Sequence, residues 1–200
     1  MSAFLGPIHH WLYSKIQVQE DLTARIAEES VKRGWLAEEE TSQYVHEEDR
    51  PLEEMIDISN IHGWLQGCIH DAEHRYAGLL SKILEKDPER QKTILEIAES
   101  FGQERALSEN STAEEIYKAF EDTFVNGMPC DRVNVVTSQN EEAFCWEQTA
   151  DLHGDLFEAA GLSGELYDLI RRRVMQGMTE KTAFSLQCED GVHYMLKKAA

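Results

Sequence analysis

The sequence predicts an all-α protein, an antiparallel helical bundle of five to seven helices with one irregular segment near 127–139. Three observations carry that expectation. Apolar residues recur with a helical period along most of the chain. Prolines and glycines fall where those periodic runs begin or end. No segment shows an alternation strong enough to support an α/β reading.

The elements follow in order. From Pro7 to about Lys32, Ile8, Leu12, Ile16, Thr23 and Ala27 line one face, with Pro7 suited to a first helical turn and Gly34 to the stop. A short Glu-rich segment from Ala37 to about Glu47 ends at Arg50-Pro51. A second long helix runs from about Ser59 to Leu84, with Ile61, Leu65, Ile69, Tyr76, Leu80 and Ile83 on one face. Asp57 or Ser59 is suited to cap it, and Asp87-Pro88 stops it. Helices are expected at 89–107 and 112–125, the latter opened by Ser111-Thr112 with Glu114 and Glu115 close behind, an approximate capping box. Within 127–139, Val133–Val136 has the composition of a short strand. Helices resume at 140–160 and 163–178, with a last one at 189–198. The whole, 1–200, reads as a single all-α domain.

Charge narrows the partners. The chain carries 38 acidic and 19 basic residues, a formal charge of −19. Such a field repels phosphate backbones and anionic membranes, so neither nucleic acid nor a membrane surface is an expected partner. Cys68, Cys130, Cys145 and Cys188 lie far apart without a CxxC pair, which excludes a zinc finger and suits free thiols in a cytoplasmic protein.

Two segments echo each other. Ile8-His9-His10-Trp11-Leu12 with Ile16 and Glu20 matches Ile61-His62-Gly63-Trp64-Leu65 with Ile69 and Glu73, at one constant offset. A duplicated helix unit, 5–33 and 58–86, would explain it. At 100° per residue, His9 and Glu20 lie within about 40° of Ile16, and His62 and Glu73 within about 40° of Ile69. Each long helix is therefore expected to place a His and a Glu on its apolar face. Parallel helices would stack the histidines in one layer and the carboxylates in another; antiparallel helices would pair His9 with Glu73 and His62 with Glu20. A looser aliphatic-His-x-x-Leu pattern adds His153 and His193.

Buried carboxylates and imidazoles need partners, and a transition-metal ion satisfies both. His9, His62, His153 and His193 are the candidate nitrogen ligands, with Glu20 and Glu73 as oxygen ligands, for iron, manganese or zinc. In architecture the expected bundle resembles the hemerythrin-like and ferritin-like proteins, in which inward His and carboxylate side chains hold metal. The ferritin-type Glu-x-x-His pairs are absent here, with Asp71-x-x-His74 and Asp190-x-x-His193 as distant analogues, and His70-x-x-x-His74 has a hemerythrin-type spacing. The rival expectation is a non-enzymatic acidic adaptor, whose Glu-rich segment around Ala37–Asp49 meets a basic protein. A homodimer is compatible with either.

Overall fold

The computed structural model describes residues 4–48 and 50–199; Asp49, in the Glu-rich segment, lies outside them. The observed architecture is mixed α/β, which corrects the all-α expectation. Helices α1 (Pro7–Lys32), α2 (Glu38–Thr41), α3 (Leu52–Met55), α4 (Ile61–Lys86), α5 (Arg90–Gln103) and α6 (Ala113–Thr123) come first. Then follow β1 (Asn134–Gln139), β2 (Ala143–Gln148), α7 (Gly154–Ala159), α8 (Leu166–Thr179), β3 (Phe184–Cys188) and β4 (His193–Lys198). The four strands form one antiparallel sheet in the order β1-β2-β4-β3. No helix among the described residues is long and apolar enough to cross a membrane.

The helix boundaries have local causes. Pro7 occupies the first turn of α1, and His9 accepts a hydrogen bond from the Gly6 amide at 2.9 Å to cap it. Gly34, at φ +69°, ends the helix, with the Trp35 amide donating to the Ser30 carbonyl at 2.8 Å and the Gly34 amide to Val31 at 2.9 Å. Thr112 and Glu115 form the expected capping box on α6. On α4 the cap is neither Asp57 nor Ser59 but Asn60, which accepts from the Gly63 amide at 3.2 Å.

The two central strands, β2 and β4, lie where helices were expected at 140–160 and 189–198. In β2, Phe144 and Trp146 are buried; in β4, Tyr194 and Leu196 are buried; their neighbours along each strand are less so. That alternation is the period of a strand with one face on the core. Asn140 turns the first hairpin by accepting from the amides of Glu142 and Ala143. Asp190 does the same for Val192 and His193, beside Gly191 at φ +74°. The short strand expected at Val133–Val136 lies largely in β1.

The two long helices run parallel, which corrects the antiparallel bundle. The rings of His9 and His62 sit 5.5 Å apart, those of Tyr13 and Trp64 5.9 Å, and Glu20 pairs with Arg75. Residue numbers rise together along the interface, at nearly the offset of the sequence echo. The echoed apolar residues Leu12, Ile16, Ile61, Leu65 and Ile69 thus share a small core with Leu52 and Ile56. The larger core is built from the C-terminal halves of α1 and α4, from α5, α6, α7 and α8, and from the inner face of the sheet. Trp146 is buried, stacked on Tyr194 at 5.2 Å, whereas Trp11 and Trp64 of the echoed segments are half-buried.

Candidate functional site

The six residues singled out as metal ligands divide into separate groups. His9 is buried, and its Nδ1 is the acceptor that caps α1, so in the neutral ring the proton resides on Nε2. That leaves no nitrogen lone pair for a metal. His62 is exposed beside it. Glu20 is buried against the Arg75 guanidinium, whose Nε donates at 3.3 Å. Glu73 and His153 meet in the core at 2.6 Å, Oε1 to Nδ1, and the His153 ring stacks on Tyr167 at 3.7 Å. His193 lies on β4, exposed and bonded to Asp190 at 2.6 Å, which holds its pKa above the usual imidazole range. Among the described residues no three His, Cys, Asp or Glu side chains cluster as a metal-holding group.

The parallel arrangement explains this division. It puts His9 and His62 in one layer and Glu20 and Glu73 in another, eleven residues further along, roughly 16 Å at the helical rise. Each carboxylate then takes a partner of its own. The partner of Glu73 comes from 80 residues away in sequence.

A second polar group, which the sequence reading missed, lies inside the core. Lys15 and Gln19 sit one turn apart on α1, between Leu12 and Leu22, and both are buried. Arg171 occupies the inward face of α8 with Tyr167, Ile170 and Val174 and is 4% exposed. Its Nη1 donates to Gln148 Oε1 at 2.8 Å, and its guanidinium faces the rings of Phe124 and Tyr194 at 5.4 and 5.9 Å. The Nε–H of Arg171 and the Nε2 of Gln19, which is 9% exposed, have no hydrogen-bond partner among the described residues. Both residues line one cavity of about 30 Å³, walled otherwise by apolar side chains such as Leu22, Tyr76, Phe101 and Phe124. Tyr167 also lines it, its hydroxyl 3.5 Å from Gln19 Oε1 and 3.4 Å from the Val125 carbonyl. Burial raises the pKa of that hydroxyl, so it remains a donor at neutral pH.

Periodicity carried a signal for these residues. Leu12, Lys15, Ile16, Gln19 and Thr23 form one stripe with helical spacing, as do Tyr167, Ile170, Arg171, Val174 and Met178. Lys15, Gln19 and Arg171 interrupt apolar stripes at inward positions, where a polar side chain needs a reason.

Burial pushes the Lys15 pKa down to about 8, helped by Arg171 and opposed by Glu121 and Asp122. Its ammonium rests 4.1 Å from the Trp11 ring centroid. Between pH 8 and the ordinary lysine range near 10.5 the unfolded chain binds the proton more readily than the folded one, so this group's contribution to stability rises with pH across that window. Below it the folded state carries the cost of a buried ammonium. Lys15→Met should therefore stabilise the protein at pH 7 by on the order of 1–3 kcal/mol. The advantage should shrink as pH rises from 8 to 10.5. Urea denaturation of both chains at pH 7 and pH 10 measures it, and a methionine variant less stable at pH 7 would refute this account.

No protein-family model, curated protein or solved structure matches the chain. What the fold and interior define is a mixed α/β protein with a small donor-lined cavity between α1 and α8.

Proposed function

We propose that the protein binds a small carboxylate in the cavity lined by Gln19, Tyr167 and Arg171. The observation that carries this reading is Arg171, a permanently charged guanidinium buried in a chain of net charge −19, yet without an ion pair among the described residues. A buried cation costs several kcal/mol unless an opposite charge or a full set of acceptors compensates it. Here one acceptor is a neutral amide, and the Nε–H is unused. Gln19 contributes a second unused donor, and the Lys15 ammonium adds positive charge close by.

A carboxylate supplies the missing charge and up to four lone-pair sites, enough for Arg171, Gln19 and the Tyr167 hydroxyl together. Apolar walls lower the local dielectric and strengthen each of those interactions. Size selects among anions. A cavity of about 30 Å³ exceeds the roughly 10–15 Å³ that one water needs. It is far below the roughly 300–1,000 Å³ of sites that take drug-sized ligands. Acetate is the size such a space admits, with propionate and butyrate as progressively longer probes, and nucleotides and sugars are too large.

Titration calorimetry with acetate, propionate and butyrate tests the reading, with propionamide as the uncharged control. One carboxylate should bind per chain and raise the melting temperature, and the amide should do neither. Arg171→Met keeps the volume of the stem and should abolish both effects. The reading fails if no short carboxylate binds, or if the Arg171→Met protein binds it as the parent does.

A further inference from the structure

We infer that His70 and His74 form a surface site for a square-planar divalent ion, Cu(II) above Ni(II), independent of the interior cavity. Both residues are exposed on α4, one turn apart, on the flank of its buried stripe. Their Nε2 atoms approach to 3.0 Å, with ring centroids at 4.1 Å and the planes 75° apart. Two imidazole nitrogens at that distance share one proton as a hydrogen bond, or one metal ion in its place.

The separation selects the ion. With metal–nitrogen bonds of about 2.0–2.1 Å, nitrogens 3.0 Å apart subtend an angle of about 95° at the metal. A tetrahedral zinc site would spread the same nitrogens to about 3.3–3.4 Å. An angle near 90° is that of two adjacent ligands in the square-planar or tetragonal sites of Cu(II) and Ni(II), and Cu(II) binds nitrogen donors more tightly than its neighbours in the series. The helix holds the pair in register, because neighbours four apart project over one another on a single face. Water completes the coordination, which leaves ligand positions open to a second molecule.

The site costs the fold little. Neither imidazole is needed in the core, and the backbone of α4 is hydrogen-bonded along its length. Substitution at either position therefore reads out metal binding rather than folding.

The experiment is titration of the untagged protein with Cu(II), followed by electron paramagnetic resonance and calorimetry. One ion per chain is expected, with an axial signal split by two equivalent nitrogens. His70→Ala and His74→Ala should each weaken binding on the order of 100-fold through loss of the second tethered ligand. Both variants should keep the parental far-UV circular dichroism, and His193→Ala should bind as the parent does. Binding unchanged by His74→Ala, or a signal from a single nitrogen, would overturn the site. Tighter binding of zinc than of copper would overturn the choice of ion.

Discussion

Gly177→Ala is expected to destabilise the protein by about 3 kcal/mol or more. A chain of this size should then melt roughly 6–12 °C lower. The cause is the contact between α5 and α8, which cross so closely that each presents a bare backbone to the other. A Cβ at Gly177 would lie 2.1 Å from the Glu99 carbonyl oxygen and 2.8 Å from the Gln103 nitrogen. One at Gly102 would lie 2.1 Å from the Val174 carbonyl oxygen. These are backbone atoms of hydrogen-bonded helices, so relief requires moving a whole helix away from Ile94, Ala98 and Ile170 in the core. Gly102→Ala should cost a similar amount, and the pair should cost less than the sum, since the first substitution already separates the helices. Gly67 is the internal control. It lies within α4 with open space at its Cβ, and alanine there should stabilise by up to about 1 kcal/mol. Thermal denaturation of the three single variants decides the matter. Equal effects at Gly67 and Gly177 would show that the crossing is not close-packed.

His153→Ala should cost about 3–5 kcal/mol, because it leaves the Glu73 carboxylate in the core without its partner. It also removes the ring stacked on Tyr167. Glu73→Gln should cost less, since the amide oxygen can still accept from His153 Nδ1. The informative variant is the double substitution Glu73→Leu, His153→Leu, which replaces the polar pair with apolar volume. It should recover at least half of the loss caused by His153→Ala, as removing both partners spares the orphaned charge. Chemical denaturation of these variants tests the pair. A loss below about 1 kcal/mol for His153→Ala would mean that water reaches Glu73 and that the pair is not sealed.

The candidate site was half legible in the sequence. The stripe positions of Glu20 and Glu73 announced inward carboxylates, and both are buried. Their partners were not legible. Arg75 lies on the neighbouring helix and carries no signal of its own in the sequence; His153 enters from a loop inside the span expected to be a helix over 140–160. A shared metal was the economical solution while the partners were unknown, and the separate pairings remove the need for one at those two carboxylates. Lys15, Gln19 and Arg171 were missed for a different reason. Long polar side chains on a helix are ordinarily assigned to solvent, and one such residue in a stripe passes as noise until the facing helix is known.

The sequence by itself determined what depends on neighbours within a turn or two: the long helices, the proline start and glycine stop of α1, the capping box of α6, and the charge that argues against polyanionic partners. It also held the echo between α1 and α4, though not their direction. Only the tertiary structure decided the rest. Val192 and Leu196 are spaced as one turn of a helix and Tyr194 and Leu196 as a strand, and pairing with β2, from Ala143↔Lys197 to Glu147↔His193, decides for the strand. The physical reason is range. Caps and periodicity are local energies written in adjacent residues, whereas sheet pairing, the Glu73–His153 contact and the isolation of Arg171 depend on groups brought together only when the chain closes on itself.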